Sequence, residues 1–135
     1  MKLFAATLLF STALIVPAGA QSSISTDRGQ LIESYRAFIS AVDIINSNGD
    51  RLSEPWQIIR QDRANYHHFH LMDAEDETDT FFASPTNRQL MEAMLADGEI
   101  EGDAAERIVA GDVHIKVAIY GHGTTGERIA VRVED

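Results

Sequence analysis

Residues Asp112–Asp135 read DVHIKVAIYGHGTTGERIAVRVED, and the period of this stretch decides the fold. Val113, Ile115, Val117 and Ile119 alternate with His114, Lys116, Ala118 and Tyr120. After a Gly-rich break, Ile129, Val131 and Val133 alternate with Arg128, Ala130, Arg132 and Glu134. A period of two on both sides of a glycine-containing loop predicts a β-hairpin with one aliphatic face. The break itself, Gly121–Gly126, has the G-x-G-x-x-G spacing of nucleotide-binding loops. That fingerprint works only where a helix follows the glycines, because the helix N-terminus holds the phosphate. Here a strand pattern resumes at Glu127, so the glycines read as turn residues that tolerate positive φ. Nucleotide binding is not expected.

A lone hairpin is marginal in water, so its aliphatic face needs a cover. The preceding chain supplies helical patterns. Leu31, Ile32, Tyr35, Phe38, Ile39, Val42 and Ile45 recur at helical spacing and predict a first helix over Asp27–Ile45, capped by Thr26 or Asp27 and stopped at Asn48-Gly49. Ser53-Glu54-Pro55 is a start signature for a second helix running to about Tyr66 or His70, with Trp56, Ile59, Tyr66 and Phe69 inward. Ser84-Pro85 starts a third, with Leu90, Met91, Met94 and Leu95 buried and Asp97-Gly98 as its stop. Asp103 and Glu106 have capping-box spacing before a short fourth helix that buries Ile108 and Val109 and ends at Gly111. Between the second and third helices, LMDAEDETDT (Leu71–Thr80) is too densely acidic to be regular and reads as a loop pinned by Phe81-Phe82. The expected fold is α+β: about four helices packed on a small antiparallel sheet that contains the C-terminal hairpin. A third strand is expected from Ile24 or from the Phe81-Phe82 region, a choice the pattern leaves open.

The first twenty residues read as a secretory signal. Lys2 gives a short basic start, Leu3–Val16 is apolar, and Pro17-Ala18-Gly19-Ala20 offers a small-x-small cleavage site. Cleavage after Ala20 would leave residues 21–135 as a single domain, periplasmic or secreted, with no membrane insertion after cleavage. No cysteine is present, so no disulfide contributes to stability. The formal net charge of −10 disfavours nucleic acid and anionic membranes as partners. The arginines at 28, 36, 51, 60, 63, 88, 107, 128 and 132 are scattered along the chain and mark no local basic patch.

Two constellations carry chemistry. His67, His68 and His70 fall within four residues, just before Asp73, Glu75 and Asp76. His67/His70 on a helix, or His68/His70 on an extended segment, would present paired imidazoles; Asp73 or His114 would complete a zinc or copper shell, and Met72 would add a soft ligand. The second is the loop itself, where Asp73, Glu75, Asp76, Glu77 and Asp79 form an acidic surface suited to a basic envelope protein. Asp97–Asp103 has part of an EF-hand pattern, but Ile108 stands where a bidentate Glu is needed, so a helix stop followed by a cap is the simpler reading. No nucleophile motif is present, and only Asp62 beside His67 suggests an acid/base pair. The expectation is a non-catalytic binding or inhibitor module acting on another envelope protein. The alternatives are a periplasmic protein binding a divalent metal through the histidines, and a small hydrolase.

Overall fold

The computed structural model describes residues 28–135. The segment expected to be a secretory signal, Ile24 and the proposed caps Thr26 and Asp27 lie outside the described residues. The hairpin forms as its period predicts. Counting strands from the N-terminus, it consists of β3 (Val113–His122) and β4 (Thr125–Glu134), paired antiparallel from His114↔Glu134 to His122↔Thr125. Val113, Ile115, Val117, Ile119, Ile129 and Val131 are buried, as the alternation requires.

The remaining strands correct the sequence reading. The segment expected to be the first helix is instead β1 (Gln30–Ile39), which pairs antiparallel with β3 from Gln30↔Gly121 to Ile39↔Val113. Tyr35, Ala37 and Ile39 face inward while Ser34 and Arg36 face solvent. The same residues therefore satisfy a period of two as well as a helical one. Pairing wins because the free edge of β3 demands hydrogen bonds that a helix cannot supply. Asn48-Gly49 closes a tight turn beside an Ile45–Arg51 bridge instead of ending a helix. A two-residue strand, β2 (Glu99–Ile100), pairs parallel with Ala130–Val131 of β4. The sheet order is β1-β3-β4-β2. The sheet is thus mixed, not purely antiparallel.

Helices α1 (Pro55–Ala64), α2 (Pro85–Gln89), α3 (Met91–Ala96) and α4 (Ala104–Ala110) include the start sites expected at Pro55, Pro85 and Asp103. Ser84 accepts the Asn87 N–H, as a hydroxyl cap should. At α1 the cap is made differently: Gln57 accepts the Glu54 N–H at 3.2 Å, and Ser53 is not the cap. Asp103 makes no side-chain cap. The third predicted helix breaks at Leu90, which is 41% exposed. Phe81 and Phe82 form a short 3-10 turn, not a strand, and both rings are buried. Ile58 and Ile59 of α1, Met91 and Met94 of α3 and Ile108 of α4 cover the inner face of the sheet in one core.

The glycine loop has a packing explanation. A Cβ at Gly121 would stand 2.0 Å from the Thr125 carbonyl oxygen, and one at Gly126 would stand 2.3 Å from Phe81 Cζ and 2.7 Å from Met94 Cε. Gly123 turns the chain at φ +59. All three glycines are therefore required by the hairpin. Gly126→Ala is expected to cost about 1–3 kcal/mol through overpacking against Phe81 and Met94. Gly123→Ala should cost about 1–2 kcal/mol from left-handed backbone alone. Denaturant midpoints of the two variants check both values.

Candidate binding groove and the buried arginine network

Helix α1 carries polar residues on its buried stripe. Asp62 and Arg63 follow Ile58 and Ile59 by one turn and are as deeply buried as they are. Arg63 Nε donates to Asp62 Oδ2 at 2.7 Å. Its Nη1 donates to Asp79 Oδ1 at 2.9 Å and to the Glu77 carbonyl at 3.0 Å. The guanidinium lies 4.2 Å from the Tyr35 ring centre and 4.7 Å from that of Tyr66. Arg63 Nη2 has no hydrogen-bond acceptor, and the two ring faces are its electrostatic partners. One guanidinium thus faces two buried carboxylates. Burial pushes Asp62 up to about 7, against the pull of Arg63. Asp79 is the second carboxylate on this guanidinium, and its other oxygen accepts the Phe82 N–H at 2.6 Å.

This network decides where the predicted site residues go. His67 Nε2 bonds Asp79 Oδ1 at 2.8 Å, so its oriented partner is Asp79 and not Asp62. His68 is exposed, with its ring against Phe69, and His70 is exposed at φ 55. The three histidines therefore diverge. His114 bonds Glu75 at 2.5 Å and stacks on Phe38, and the Asp73 N–H donates to Asp76. Among the described residues no group of three or more His, Asp or Glu side chains converges as metal ligands would.

The acidic loop is largely committed to the fold. Strand β1 is a sheet edge, and loop carboxylates accept its outward N–H groups. Arg36 donates to Glu77 Oε2 at 2.9 Å, and Phe38 donates to Asp76 Oδ1 at 2.8 Å. Glu77 N–H returns a bond to the Arg36 carbonyl at 2.9 Å. Glu33 of β1 in turn accepts from Thr80 and Phe81 N–H, at 2.9 and 3.0 Å. Asp79 is buried with Arg63; Asp73 and Glu75, the latter paired with His114, stand nearer solvent.

What the structure adds is a groove. After α1 the chain widens into a π turn (Asn65–Phe69), and the N–H groups of His70 and Leu71 both reach back to the Asn65 carbonyl. This turns Phe69 and Leu71 outward, where they face Val42 and Ile45. The floor is polar and fully tied: Gln61 donates to Asn65 Oδ1 at 2.8 Å, and Asn65 donates to Asp43 Oδ1 at 2.8 Å. Asp43 also accepts the Ser40 N–H and hydroxyl, yet burial holds its carboxyl above the usual range. The groove encloses about 550 Å³. Val42 (52%), Ile45 (39%), Phe69 (45%), Leu71 (55%) and the adjoining Met72 (51%) expose large apolar surfaces along it. Sequence reasoning assigned Val42, Ile45 and Phe69 to buried helix faces. The legible signal was the apolar pair Leu71-Met72 at the head of an acidic loop.

Comparison with family models, with curated proteins and with solved structures finds no match to this chain.

Arg63→Ala would strip the buried Asp62 and Asp79 of the guanidinium they share, and a loss of about 3–5 kcal/mol is expected. Chemical denaturation reads it. The pH dependence follows from Asp62. Its folded pKa, near 7, lies above the ordinary carboxylate value of about 3.9. The folded state therefore holds the proton more tightly, and this contribution is complete below about pH 4 and lost as pH rises to about 7. Asp62→Asn should flatten the stability profile between those limits. An unchanged slope in denaturation curves at pH 4, 5.5 and 7 would refute the assignment.

Proposed function

We propose that this chain is an exported, non-catalytic binding module, acting in the periplasm or outside the cell after loss of residues 1–20, which engages another envelope protein. The observation that carries the reading is the groove, where large apolar side chains stand open to water over a hydrogen-bonded floor. Monomeric soluble proteins seldom leave such patches uncovered unless a partner covers them. Phe69, one of its lining residues, is an aromatic of the kind enriched at the cores of interfaces.

The occupant that fits is an apolar segment with a basic flank. Leu71 and Met72 run directly into Asp73 and Glu75, so a cationic residue beside the apolar anchor would meet carboxylates still near solvent. In this arrangement the apolar contact sets the dissociation rate and the acids steer association. Raising salt should therefore slow binding while leaving dissociation nearly unchanged.

A photo-crosslinking amino acid at position 69, expressed in the native envelope, is expected to give one discrete heteromeric adduct. Ile45→Glu should remove it, with a binding cost of about 2 kcal/mol or more, and without lowering Tm because Ile45 is already exposed. A ladder of random adducts, a self-adduct, or an adduct indifferent to Ile45→Glu would defeat the proposal.

A further inference from the structure

Among the described residues the helices cover one face of the sheet and leave the other open. Three consecutive cross-strand rows on that face are fixed by register. Arg36, Lys116 and Arg132 are direct neighbours on β1, β3 and β4. Two residues further along, Ser34, Ala118 and Ala130 form the next row; beyond it stand Leu31, Tyr120 and Arg128, with the Arg128 guanidinium 4.0 Å from the Tyr120 ring centre. A row of small side chains between two rows of large ones makes a trough of about 290 Å³. One wall is cationic and the other is aliphatic and aromatic.

The cationic row needs an explanation. Like charges directly opposite one another across strands are destabilising, and this row places three together on a chain of net charge −10. Glu134 relieves the two outer members, with one carboxylate oxygen on Arg36 and the other on Arg132. Both of its oxygens are then used, and Arg36 has Glu77 as well. Among the described residues no carboxylate pairs with Lys116, the middle member. Lys116 is one of the residues lining the trough. Glu101, at the β2 side, is the one carboxylate lining it, and it disfavours a second negative group there.

We infer that this open sheet face is a binding site, separate from the apolar groove, for a small organic anion: a carboxylate or phosphate held by Lys116 and Arg132 on a flat apolar body that lies over Ala118 and Ala130 and against Tyr120. The volume corresponds to roughly ten waters at about 30 Å³ each, which suits a single-ring ligand. The lone anionic end answers Lys116, and the flat body answers the floor of Ser34, Ala118 and Ala130.

Amide-resolved NMR titration of the purified protein tests this with defined probes. Benzoate and phenyl phosphate should give saturable shifts at Lys116, Ala118, Tyr120, Ala130 and Arg132, with Kd below about 1 mM. Benzamide has the ring without the charge, and inorganic phosphate has the charge without the ring; each should bind at least tenfold more weakly. Lys116→Met should weaken benzoate at least tenfold without lowering Tm, since it removes the crowded middle charge. Ala118→Leu should fill the floor and abolish binding; Ala130→Leu repeats the test if the first variant fails to fold. Equal affinity for benzamide, shifts centred elsewhere, or indifference to Lys116→Met would overturn the inference. So would shifts of these amides with protein concentration alone, because a second copy would then be the occupant.

Discussion

The wholly buried guanidinium of Arg63 is the constraint on which the arrangement depends. A charge removed from water is tolerated only when its partners are fixed in place. Here those partners come from α1 itself (Asp62), from the loop before α2 (Glu77 carbonyl, Asp79) and from β1 (the Tyr35 ring). The requirement to satisfy one side chain therefore positions three segments relative to one another. Because Asp79 also takes the Phe82 N–H, the same carboxylate sets the entry of the 3-10 turn and the burial of Phe81 and Phe82.

The acidic loop follows from this. Once Asp79 is drawn inward, the preceding residues run beside β1, and Asp76 and Glu77 meet the outward N–H groups of an exposed edge. Edge strands invite pairing with foreign chains, and covering them with a charged loop is a recurrent protection. Most of the negative charge concentrated in residues 73–79 is thus spent on intramolecular hydrogen bonds. Among the described residues, the surfaces this architecture leaves uncovered lie elsewhere. One is the apolar groove that the π turn opens beside residues 41–47, and the other is the cationic trough on the outer sheet face.

Much of this was legible in residues 112–135, because a period of two is a local property: strand neighbours on one face are two apart whatever the rest of the chain does. The helix starts at Pro55 and Pro85 were legible for a similar reason, since a fixed φ and an early turn act within four residues. Three of the four cations on the outer face, Lys116, Arg128 and Arg132, lie on the polar side of the hairpin pattern, yet reading the arginines as scattered along the chain missed the patch they form. The burial of Arg63 left a fainter mark: it follows Ile59 by four residues on the same stripe.

The strand identity of Gln30–Ile39 was decided by tertiary structure alone. Tyr35, Phe38, Ile39 and Val42 satisfy a helical stripe, while Tyr35, Ala37 and Ile39 satisfy a strand, and only the unpaired edge of β3 chooses between them. Strand β2 is two residues long and exists only because β4 is beside it. The divergence of His67 from His68 and His70, and the meeting of Arg36 with Lys116, likewise depend on contacts between residues 12 or more positions apart. Local pattern sets which backbone conformations a segment can adopt. The hydrogen bonds and charges it must satisfy at long range select one of them.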